Sequence, residues 1–499
     1  MDKMATARTK KVVIFAPIAL WERHWAFAIE IAHHEIHKGN QPLIVHCIKA
    51  LESCPANQDH LMWKCNQCVH QVKKSISHHF PKSAKHLFIR EADVIQTKEK
   101  IVTPPIRNST EMSMFRYDGF PFGSHVISQL VSMNRDRNLT DPVIRETGLN
   151  ILINSIAFYE FANTLLPPDV ERVILWGGRR SSEAPIKFVA EKRGLKLEFF
   201  EESSTRDRYM LTDEYPFVFN NFINLVRNWE IERISKGEMD IMLEEGRKYF
   251  LERRIGQSQE PSFIWFNKDA KQFPIIENKG KRILAIFTSS DWEFAELEFS
   301  QVLDTKTDFI NQYTSLSMIL QDSFIRGNFE IIIRWHPNHR IAGKFEKEQI
   351  NSVIDSSPHV KHFRYTDSID SYQLVEKSDI VLVFGSTIGI EASYLEKPTI
   401  LLGDTHYAGL GSVYQPENMG KLRDLLTRDL SPLPNYGALL FGDYMRNRGK
   451  SIRTLSRIGD SYFIHGKRIK NISLIVRIRF FLGNLKRISK AILNEFMLK

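Results

Sequence analysis

The stretch DIVLVFGSTIGIEASYLEKPTILLG, residues 379–403, contains two short apolar runs separated by a segment of helical length. The runs DIVLVF and PTILLG have the length and composition of buried strands, and the amphipathic segment between them favours a helix. A strand, a helix and a second strand in this order imply a parallel sheet. The stretch therefore predicts a parallel α/β sheet in this part of the chain.

The same alternation extends in both directions from this stretch. Further strands are predicted at 282–287, 330–335 and 360–363, and five short runs separated by helices indicate a doubly wound domain. A strand at 11–16, a helix at 24–38 and a strand at 42–47 open a second unit of the same kind, which continues with the strands RVILW and LKLEFF. The predicted fold class is α/β, with two Rossmann-like doubly wound domains.

Length and composition agree with two globular domains. The chain of 499 residues exceeds the roughly 250 to 300 residues that one hydrophobic core usually supports. With 42% hydrophobic and 25% charged residues, disordered and collagen-like classes are excluded. The predicted boundaries are an amino-terminal domain at 1–225, a helical connector at 226–275, a carboxyl-terminal domain at 276–455 and a basic tail at 456–499.

The ends of the predicted strands indicate where a ligand would bind. In open parallel sheets, ligands bind outside the carboxyl ends of the strands. In the second domain these ends are followed by TSSDWE (288–293), HPNHR (336–340) and GSTIGIE (385–391). We therefore expect these three loops to converge on one edge.

The third loop predicts an anion site. Gly385 permits a tight turn, Ser386 or Thr387 can cap the following helix, and Gly389 allows a close backbone approach. Free N–H groups in a first helical turn bind phosphate, and the carboxylate of Glu391 could accept hydrogen bonds from a ribose. The alternative is structural, with Ser386 as a simple cap and Glu391 as a solvated helix residue.

The second loop supports the same site. Pro337 biases His336 toward an extended conformation and so holds its imidazole at the strand exit. A histidine there can donate to a phosphate oxygen or transfer a proton, and Arg334 or Arg340 could add a positive contact. The alternative for His336 is a capped loop histidine.

Together these motifs resemble a known family. The HP pair after a strand, followed downstream by GSTIGIEA and EKPTILLG, resembles the carboxyl-terminal domain of bacterial capsule and surface polysaccharide biosynthesis glycosyltransferases, a group that includes Kdo transferases. FTSSDWEF (287–294) resembles the first loop of that domain. ILWGGRR followed by FFEESSTRDRYML resembles an amino-terminal pattern of the family. The resemblance covers 280–415 and, more faintly, 170–215.

The resemblance implies a GT-B glycosyltransferase, with its two domains facing a cleft. It would transfer a sugar from a nucleotide-sugar donor, with a CMP-Kdo-like donor as one option, to a growing surface or capsular polysaccharide or a lipid-linked acceptor. No catalytic metal is expected. By this analogy His336 and Ser386 contact the donor phosphate and Glu391 the ribose. The predicted donor-binding residues are Ser289, Ser290, Arg334, His336, Asn338, Gly385, Ser386, Thr387, Gly389 and Glu391.

A carboxylate base is expected in an inverting enzyme of this kind. Asp291 and Glu293 are the candidates in the second domain, and Glu201 and Glu202 are those in the first. Arg179 and Arg180 are predicted on the acceptor side. Two alternatives remain open: a non-hydrolysing UDP-sugar 2-epimerase, which shares the tandem domains, and a non-catalytic module of polysaccharide assembly.

The four cysteines of the chain fall in one window. Reduced thiols clustered in a cytosolic chain favour metal ligation over disulfides, so Cys47, Cys54, Cys65 and Cys68 are candidate ligands of a structural zinc. The gap between the first two is wider than in common zinc sites. The alternative is that they are small core residues and surface thiols.

The carboxyl terminus predicts contact with an anionic membrane surface. Nine basic residues and one acid lie in 467–499, and apolar residues from Leu474 to Ile492 recur at helical spacing. Such a helix can lie on acidic lipids. A terminal helix docked on the protein itself is the alternative, and nucleic acid is not expected because no recognition motif accompanies the charge.

Segments that target or span membranes are not expected. The amino terminus lacks a signal-peptide pattern, and no apolar run reaches the roughly 18 residues of a membrane span. We expect a cytoplasmic protein, either free or peripheral on the inner face of the cytoplasmic membrane.

Overall fold

A computed structural model describes residues 9–51, 54–58, 60–102, 104–258, 280–299, 307–309 and 311–470. Two sheets dominate these residues. The strands of the first sheet are β1 Lys11–Phe15, β2 Gln41–Ile48, β3 Lys85–Arg90, β4 Val170–Trp176, β5 Lys196–Glu202, β6 Arg208–Thr212 and, from the far end of the chain, β12 Lys450–Ser451. Their order is β12-β6-β5-β4-β1-β2-β3. β1 to β5 are parallel, whereas β6 and β12 pair antiparallel at one edge.

Helices cover both faces of this sheet. They are α1 Glu22–His37, α2 Met62–His78, α3 Glu91–Lys98, α4 Ser109–Met114, α5 Phe122–Asn134, α6 Asp141–Val143, a π-helical turn Ile144–Gly148, α7 Leu149–Leu165 and α8 Ala184–Lys192. On one face α5, α7 and α8 form a core with β1 and β4, and on the other face α1 packs against the same strands. Trp25, Ile29 and Ala32 of α1 recur at helical spacing and are fully buried.

The strand β3 was absent from the sequence prediction. It pairs parallel with β2 and extends the sheet by one strand. Only Ile89 of its six residues is fully buried, so its apolar pattern is weak. An edge strand with one buried side chain gives little hydrophobic signal in the sequence.

A pair of helices leads to the second domain. They are α9 Phe219–Ser235 and α10 Met239–Arg254. α10 lies against the late helix α18 Tyr436–Asn447, and glycines allow this close approach. A Cβ atom on Gly246 would come within 2.2 Å of the carbonyl oxygen of Leu439, and one on Gly442 within 2.8 Å of the carbonyl oxygen of Gly246.

The second sheet is parallel throughout. Its strands are β7 Arg282–Phe287, β8 Phe329–Arg334, β9 Lys361–Phe363, β10 Ile380–Val383 and β11 Thr399–Leu401, in the order β11-β10-β7-β8-β9. The remaining helices are α11 Asp291–Phe299, α12 Gln312–Gln321, α13 Ser323–Asn328, a 3-10 turn Pro337–Ile341, α14 Lys344–Ser356, α15 Ser371–Lys377, α16 Ile388–Tyr394 and α17 Met419–Leu426. The five predicted strands of this domain are all present. The predicted fold class, two Rossmann-like α/β domains in tandem, is confirmed.

The helix α11 joins the two domains. It follows β7 in the chain, yet its Ala295 is fully buried in the core of the amino-terminal domain. Two polar contacts accompany this packing: the Ser128 hydroxyl donates to the carbonyl oxygen of Glu296 at 2.7 Å, and Nε of Arg137 lies 2.8 Å from Oδ2 of Asp291. The first helix of one domain is therefore seated in the other.

The chain finally returns to the amino-terminal domain. After α18, the strand β12 pairs with β6. Three short strands then form an antiparallel sheet: β13 Ser456–Ile458, β14 Ser461–Ile464 and β15 Lys467–Arg468. Tyr462 and Ile464 are buried against α1, and the carboxylate of Glu30 accepts the N–H group of Leu455 at 3.1 Å. Residues 456–470, expected as the first part of a basic tail, thus form a small sheet because their apolar side chains cover α1.

The predicted basic helix between Leu474 and Ile492 lies outside the described residues. Within the part of the chain that the structure does describe, no helix combines the length and apolarity that a membrane span requires.

Candidate functional site

The turn after β4 carries the first group of predicted site residues. Gly177 and Gly178 follow Trp176 with φ values of +59° and +82°, a region that favours glycine. A Cβ atom on Gly177 would lie 2.8 Å from Oε1 of Glu201, so a larger residue would collide with that carboxyl group. Because β4 and β5 are parallel neighbours, the turn and Glu201 meet at one edge of the sheet.

Glu201 is a half-buried carboxyl group without an ion pair among the described residues. The Nε1–H group of Trp176 donates to its Oε2 at 3.0 Å. Burial is the largest influence and raises the pKa of Glu201 to about 7, although Trp176 and the charge of Arg180 favour the carboxylate. A carboxyl group with this pKa can accept or release a proton at neutral pH.

Glu202 has a different environment. Nη1 of Arg23 lies 2.5 Å from its Oε2, and Nε2 of His24 lies 3.5 Å from its Oε1. Both oxygens are therefore occupied by neighbouring side chains. Of the two candidate bases in this domain, Glu201 is the one whose carboxyl group is not engaged by a cation.

The two arginines of the turn also differ. Nη1 of Arg179 donates to the Ser128 hydroxyl at 2.7 Å, and its guanidinium forms an ion pair with Glu296 of α11. Arg180 instead lies over the rings of Trp176 and Trp21, with its Cζ atom 4.5 and 5.3 Å from the ring centroids. Burial lowers the pKa of Arg180. Arg179 thus connects the turn to the second domain, whereas Arg180 faces an aromatic wall.

Three residues that were not predicted from the sequence complete this edge. Trp21, Arg23 and His24 stand where the chain leaves β1 and enters α1. The rings of Trp21 and His24 lie 4.9 and 4.1 Å from that of Trp176. The signal was present in the sequence, because the stretch ending in LWERHW follows a strand just as the recognised loops do.

In the second domain, the exits of β7 and β8 meet at His336. The backbone N–H group of Asn338 donates to Nδ1 of His336 at 3.2 Å, and the Ser290 hydroxyl lies 3.3 Å from the same atom. Since a backbone N–H group can only donate, Nδ1 accepts and the proton of the neutral ring is on Nε2. Burial lowers the pKa of His336 to about 3, so the ring is neutral at physiological pH. It therefore offers one N–H donor rather than a positive charge.

Glu293 lies beside this histidine. Nδ2 of Asn338 donates to its Oε1 at 3.0 Å, and the hydroxyl group of Ser290 also hydrogen-bonds to it. Burial raises the pKa of Glu293 to about 7. The second domain thus presents a half-buried carboxyl group that matches Glu201 in its proton affinity.

The other candidates on these two loops are committed to internal contacts. Asp291 pairs with Arg137, and its N–H group donates to Glu346 at 2.8 Å. Arg334 is buried and donates from Nη1 to the carbonyl oxygen of Arg364, and burial lowers its pKa to about 10. The backbone N–H and C=O groups of Ser289 both bond to the side chain of Gln312.

The loop after β10, which begins at Gly385, packs against the loop and helix after β7 through the ring of Phe294. Gly385 has a φ of +78°, as its predicted turn requires, and a Cβ atom there would lie 2.3 Å from the ring of Phe294 on α11. Gly389 is packed against Tyr407, whose hydroxyl oxygen would lie 2.5 Å from a Cβ atom. Tyr407 also donates to the carbonyl oxygen of Ser386 at 2.5 Å. The need for glycine at position 389 thus comes from the protein's own packing.

Glu391 is buried in an ion pair. Nε and Nη2 of Arg253, from the connector helix α10, each lie 2.7 Å from its Oε1. The Tyr372 hydroxyl hydrogen-bonds to the same carboxylate. Arg253 also reaches the Thr387 hydroxyl at 3.4 Å. The ribose contact predicted for Glu391 stays a prediction, and a ribose would share this carboxylate with Arg253.

The predicted site residues therefore form two groups, one in each domain, and α11 contacts both of them. Ser290, Glu293, His336 and Asn338 contact one another at the exits of β7 and β8. The second group is Glu201 and Arg180 in the amino-terminal domain. The ion pair between Arg179 and Glu296 of α11 connects this group to the first. Gly385 and Ser386 adjoin this centre, whereas Arg334, Asp291 and Glu391 point their charged groups into internal ion pairs or backbone contacts.

The four cysteines are free thiols, of which Cys65 is buried and the other three are half-buried. Burial raises the pKa of Cys47 to about 11 and that of Cys68 to about 12, and it also raises the pKa of Cys54 and Cys65. Nδ2 of Asn57 donates to the sulfur of Cys65 at 3.2 Å. Among the residues with described positions, no cluster of three or more His, Cys, Asp or Glu side chains is placed to hold a metal ion. The structural zinc remains a prediction.

The two sheets define a two-domain α/β protein, and the candidate site residues lie at strand exits of both domains. Residues 300–423 match a family described as "Capsule polysaccharide biosynthesis protein". The match falls on the second domain and includes the HPN and GSTIGIE loops. The predicted resemblance to capsule polysaccharide biosynthesis proteins is confirmed.

Solved structures give weak similarities over larger parts of the chain. KpsC of Thermosulfurimonas dismutans, a beta Kdo 2,4 transferase, is 12% identical with a TM-score of 0.37, over 55% of this chain and 79% of that chain. The beta Kdo 2,7 transferase of the same KpsC is 17% identical with a TM-score of 0.33, over 63% and 85%. UDP-GlcNAc 2-epimerase from Neisseria meningitidis is 11% identical with a TM-score of 0.27, over 88% and 98%. No curated protein matches the sequence.

Proposed function

We propose that this protein is a glycosyltransferase that moves a sugar from a nucleotide-sugar donor to the glycan or glycolipid acceptor of a surface polysaccharide. One observation carries the proposal most directly: two half-buried carboxyl groups, Glu201 at the end of β5 and Glu293 in α11 after β7, lie at strand exits of the two Rossmann-like domains, and burial raises the pKa of each to about 7. The family match over 300–423 supports capsule biosynthesis as the setting.

The nucleotide-sugar donor is assigned to the second domain. Nε2–H of His336 and the hydroxyl group of Ser386 are available at the exits of β8 and β10, the two strands that flank β7, and neither group has a partner among the described residues. Uncharged hydrogen-bond donors that are already oriented can stabilise the negative charge that develops on a leaving phosphate. A CMP-sugar of the Kdo type is our first choice of donor, with UDP- and GDP-sugars as the alternatives.

The two carboxyl groups then take different roles. Glu201, on the acceptor side, takes the proton from the attacking hydroxyl group as its oxygen bonds to the anomeric carbon. The bond between that carbon and the phosphate oxygen breaks, and protonated Glu293 donates a hydrogen bond to the departing phosphate. A pKa of about 7 lets one carboxyl group accept a proton and the other keep its proton near neutral pH. Metal-independent transfer is part of the proposal.

The proposed location is the cytoplasm, with peripheral attachment through 467–499. The nine basic residues of this segment support attraction to acidic lipids. An acceptor carried on a membrane lipid would then be within reach of the site.

A thermal-shift panel with CMP-, UDP-, GDP- and CDP-linked sugars tests the proposal. A donor at 100 times its dissociation constant adds about 2.7 kcal/mol to the free energy of unfolding. We expect one nucleotide class to raise the melting temperature of the wild type, and His336→Ala to weaken that shift. The exposed Arg145→Met serves as a matched control.

Two outcomes would count against transfer. The absence of a shift with every donor would remove the nucleotide site. Conversion of UDP-N-acetylglucosamine to its epimer without an acceptor would identify the 2-epimerase activity instead.

A further inference from the structure

Arg180 is a half-buried cation that no counter-ion among the described residues contacts. Its guanidinium lies over Trp176 and Trp21 and forms no hydrogen bond or ion pair with any residue whose position is described. The neighbouring cations are all paired: Arg179 with Glu296, and Arg23 with Glu202. A charge withdrawn from water without a partner is costly, and a ligand with a negative charge would supply the missing partner.

The carboxyl groups that face Arg180 are each bound elsewhere. Glu183, Glu201 and Glu296 attract it electrostatically without contacting it. Glu183 accepts a hydrogen bond from Ser182 at 2.7 Å, Glu201 accepts one from Trp176, and Glu296 is paired with Arg179. The donor groups of the Arg180 guanidinium therefore remain available for a ligand.

The aromatic rings around Arg180 define the kind of ligand. Trp176 and Trp21 lie edge to face at 4.9 Å, and His24 closes the wall 4.1 Å from Trp176. Burial lowers the pKa of His24 to about 3, so it adds a neutral ring and no second positive charge. Indole faces suit the apolar faces of sugar rings, and the planar guanidinium fork suits a carboxylate or a phosphate.

We propose that Arg180, held on Trp21 and Trp176, is the receptor for an oxyanion carried by the acceptor saccharide, either the carboxylate of a sugar acid or a phosphate on the glycan. Arg180 lies in the turn after β4 of the amino-terminal domain, whereas the loops proposed to bind the nucleotide sugar belong to the second domain. It lies near Glu201, at the same edge of the first sheet. A negatively charged acceptor seated there would present a hydroxyl group to Glu201. The assignment to the acceptor rests on the proposed transferase function, whereas the oxyanion site rests on the geometry of Arg180.

Binding measured by calorimetry tests the inference with defined probes. The probes are trigalacturonic acid, its fully methyl-esterified form, maltotriose, and maltotriose carrying one phosphate. We expect the wild type to bind at least one charged probe more tightly than its neutral counterpart. Arg180→Met should weaken that binding about tenfold or more, as expected for the loss of hydrogen bonds to a charged group, and Arg180→Lys should weaken it less.

The controls separate a lost contact from a damaged fold. Arg145→Met removes an exposed cation elsewhere in the domain and should leave binding of every probe unchanged. Arg180→Met should keep the melting temperature shift produced by the nucleotide donor. The two charged probes distinguish a carboxylate ligand from a phosphate ligand.

Equal binding of charged and neutral probes to the wild type would overturn the inference, as would unchanged binding by Arg180→Met. These results differ from a failure of the proposed function, which would appear as the absence of any donor-induced shift. If donors bind but charge makes no difference to the saccharide, only the inference about Arg180 falls.

Discussion

At the residue scale, Glu201 and Glu293 combine burial with an absence of ion pairing among the described residues. Each has a pKa raised to about 7 by burial. As the base, Glu201 must lose its proton, so activity should rise with pH through about 7. As the acid, Glu293 must keep its proton, so activity should fall above about 7. We expect a narrow bell-shaped dependence of kcat on pH for the wild type.

Single substitutions separate the rising and falling limbs of this pH profile. Glu201→Gln should lower kcat by about 10² to 10⁴, the usual contribution of a general base. Glu293→Gln retains a hydrogen-bond donor and should lower kcat less while removing the falling limb. Glu202→Gln is the matched control, and we expect it to keep the bell shape. A bell-shaped profile in Glu201→Gln at wild-type rates would contradict the assignment.

The same burial predicts how stability depends on pH. The folded-state pKa of Glu201 is raised from 4.5 to about 7, so the folded protein binds more protons than the unfolded chain between these values. The contribution of Glu201 to stability is therefore full below about 4.5 and declines as pH rises to 7. At one pKa unit per about 1.4 kcal/mol, the loss is at most roughly 3 to 4 kcal/mol. Differential scanning calorimetry should show Glu201→Gln gaining melting temperature relative to the wild type between pH 5 and pH 8. An unchanged difference across this range would contradict the prediction.

The sequence placed the main site residues correctly at strand exits but not their contacts. Apolar runs locate the exits, so the loops holding Glu201, Glu293 and His336 could be predicted. Arg137 and Arg253 come from distant segments, and their pairing with Asp291 and Glu391 depends on tertiary packing. A local pattern cannot reveal which carboxylates such partners will occupy.

At the element scale, the contact between α10 and α18 depends on glycine. Gly246→Ala would place a Cβ atom 2.2 Å from the Leu439 carbonyl oxygen and force the helices apart. Overpacking of this kind typically costs about 1 to 3 kcal/mol. Gly327 lies in α13 with nothing within 4 Å of its Cβ position, so Gly327→Ala is the matched control and should be neutral or stabilising. Thermal unfolding of both variants checks the prediction, which equal melting temperatures would refute.

The elements that prediction missed share a physical cause. β3 has one fully buried residue, and β13 to β15 have two to four residues each. Short edge strands bury little apolar surface, and their stability comes from the helix or sheet that they cover. The strands of the second sheet carry continuous buried runs, such as Ile380–Val383, and were recognisable for that reason.

The cysteine window remains open to a direct test at this scale. If zinc binds there, metal analysis of the purified protein should give about one zinc per chain, and the Cys65→Ser and Cys68→Ser variants should lose it. A metal-free wild type with unchanged melting temperature in chelator would leave the four thiols as core residues.

At the scale of the whole molecule, Arg137 links the domains. It pairs with Asp291 at 2.8 Å and with Glu298 at 2.5 Å, and Asp291 is buried. Arg137→Met leaves the Asp291 carboxylate without its cation, a change that typically costs about 3 to 5 kcal/mol at a buried pair. We expect a lower melting temperature and a weaker response to nucleotide donors. Arg145→Met, which alters only an exposed cation, should match the wild type in both measurements; equal behaviour of Arg137→Met would argue against the link.

The seating of Ala295 in the core of the amino-terminal domain affects how the protein can be divided. A fragment that starts at β7 would expose the side of α11 that Ala295 occupies, and the complementary fragment would have a gap in its interior. Recombining the two domains between related proteins at the connector would therefore break a shared core. Functional chimaeras should exchange α5 and α11 together, because the two helices pack in the same core.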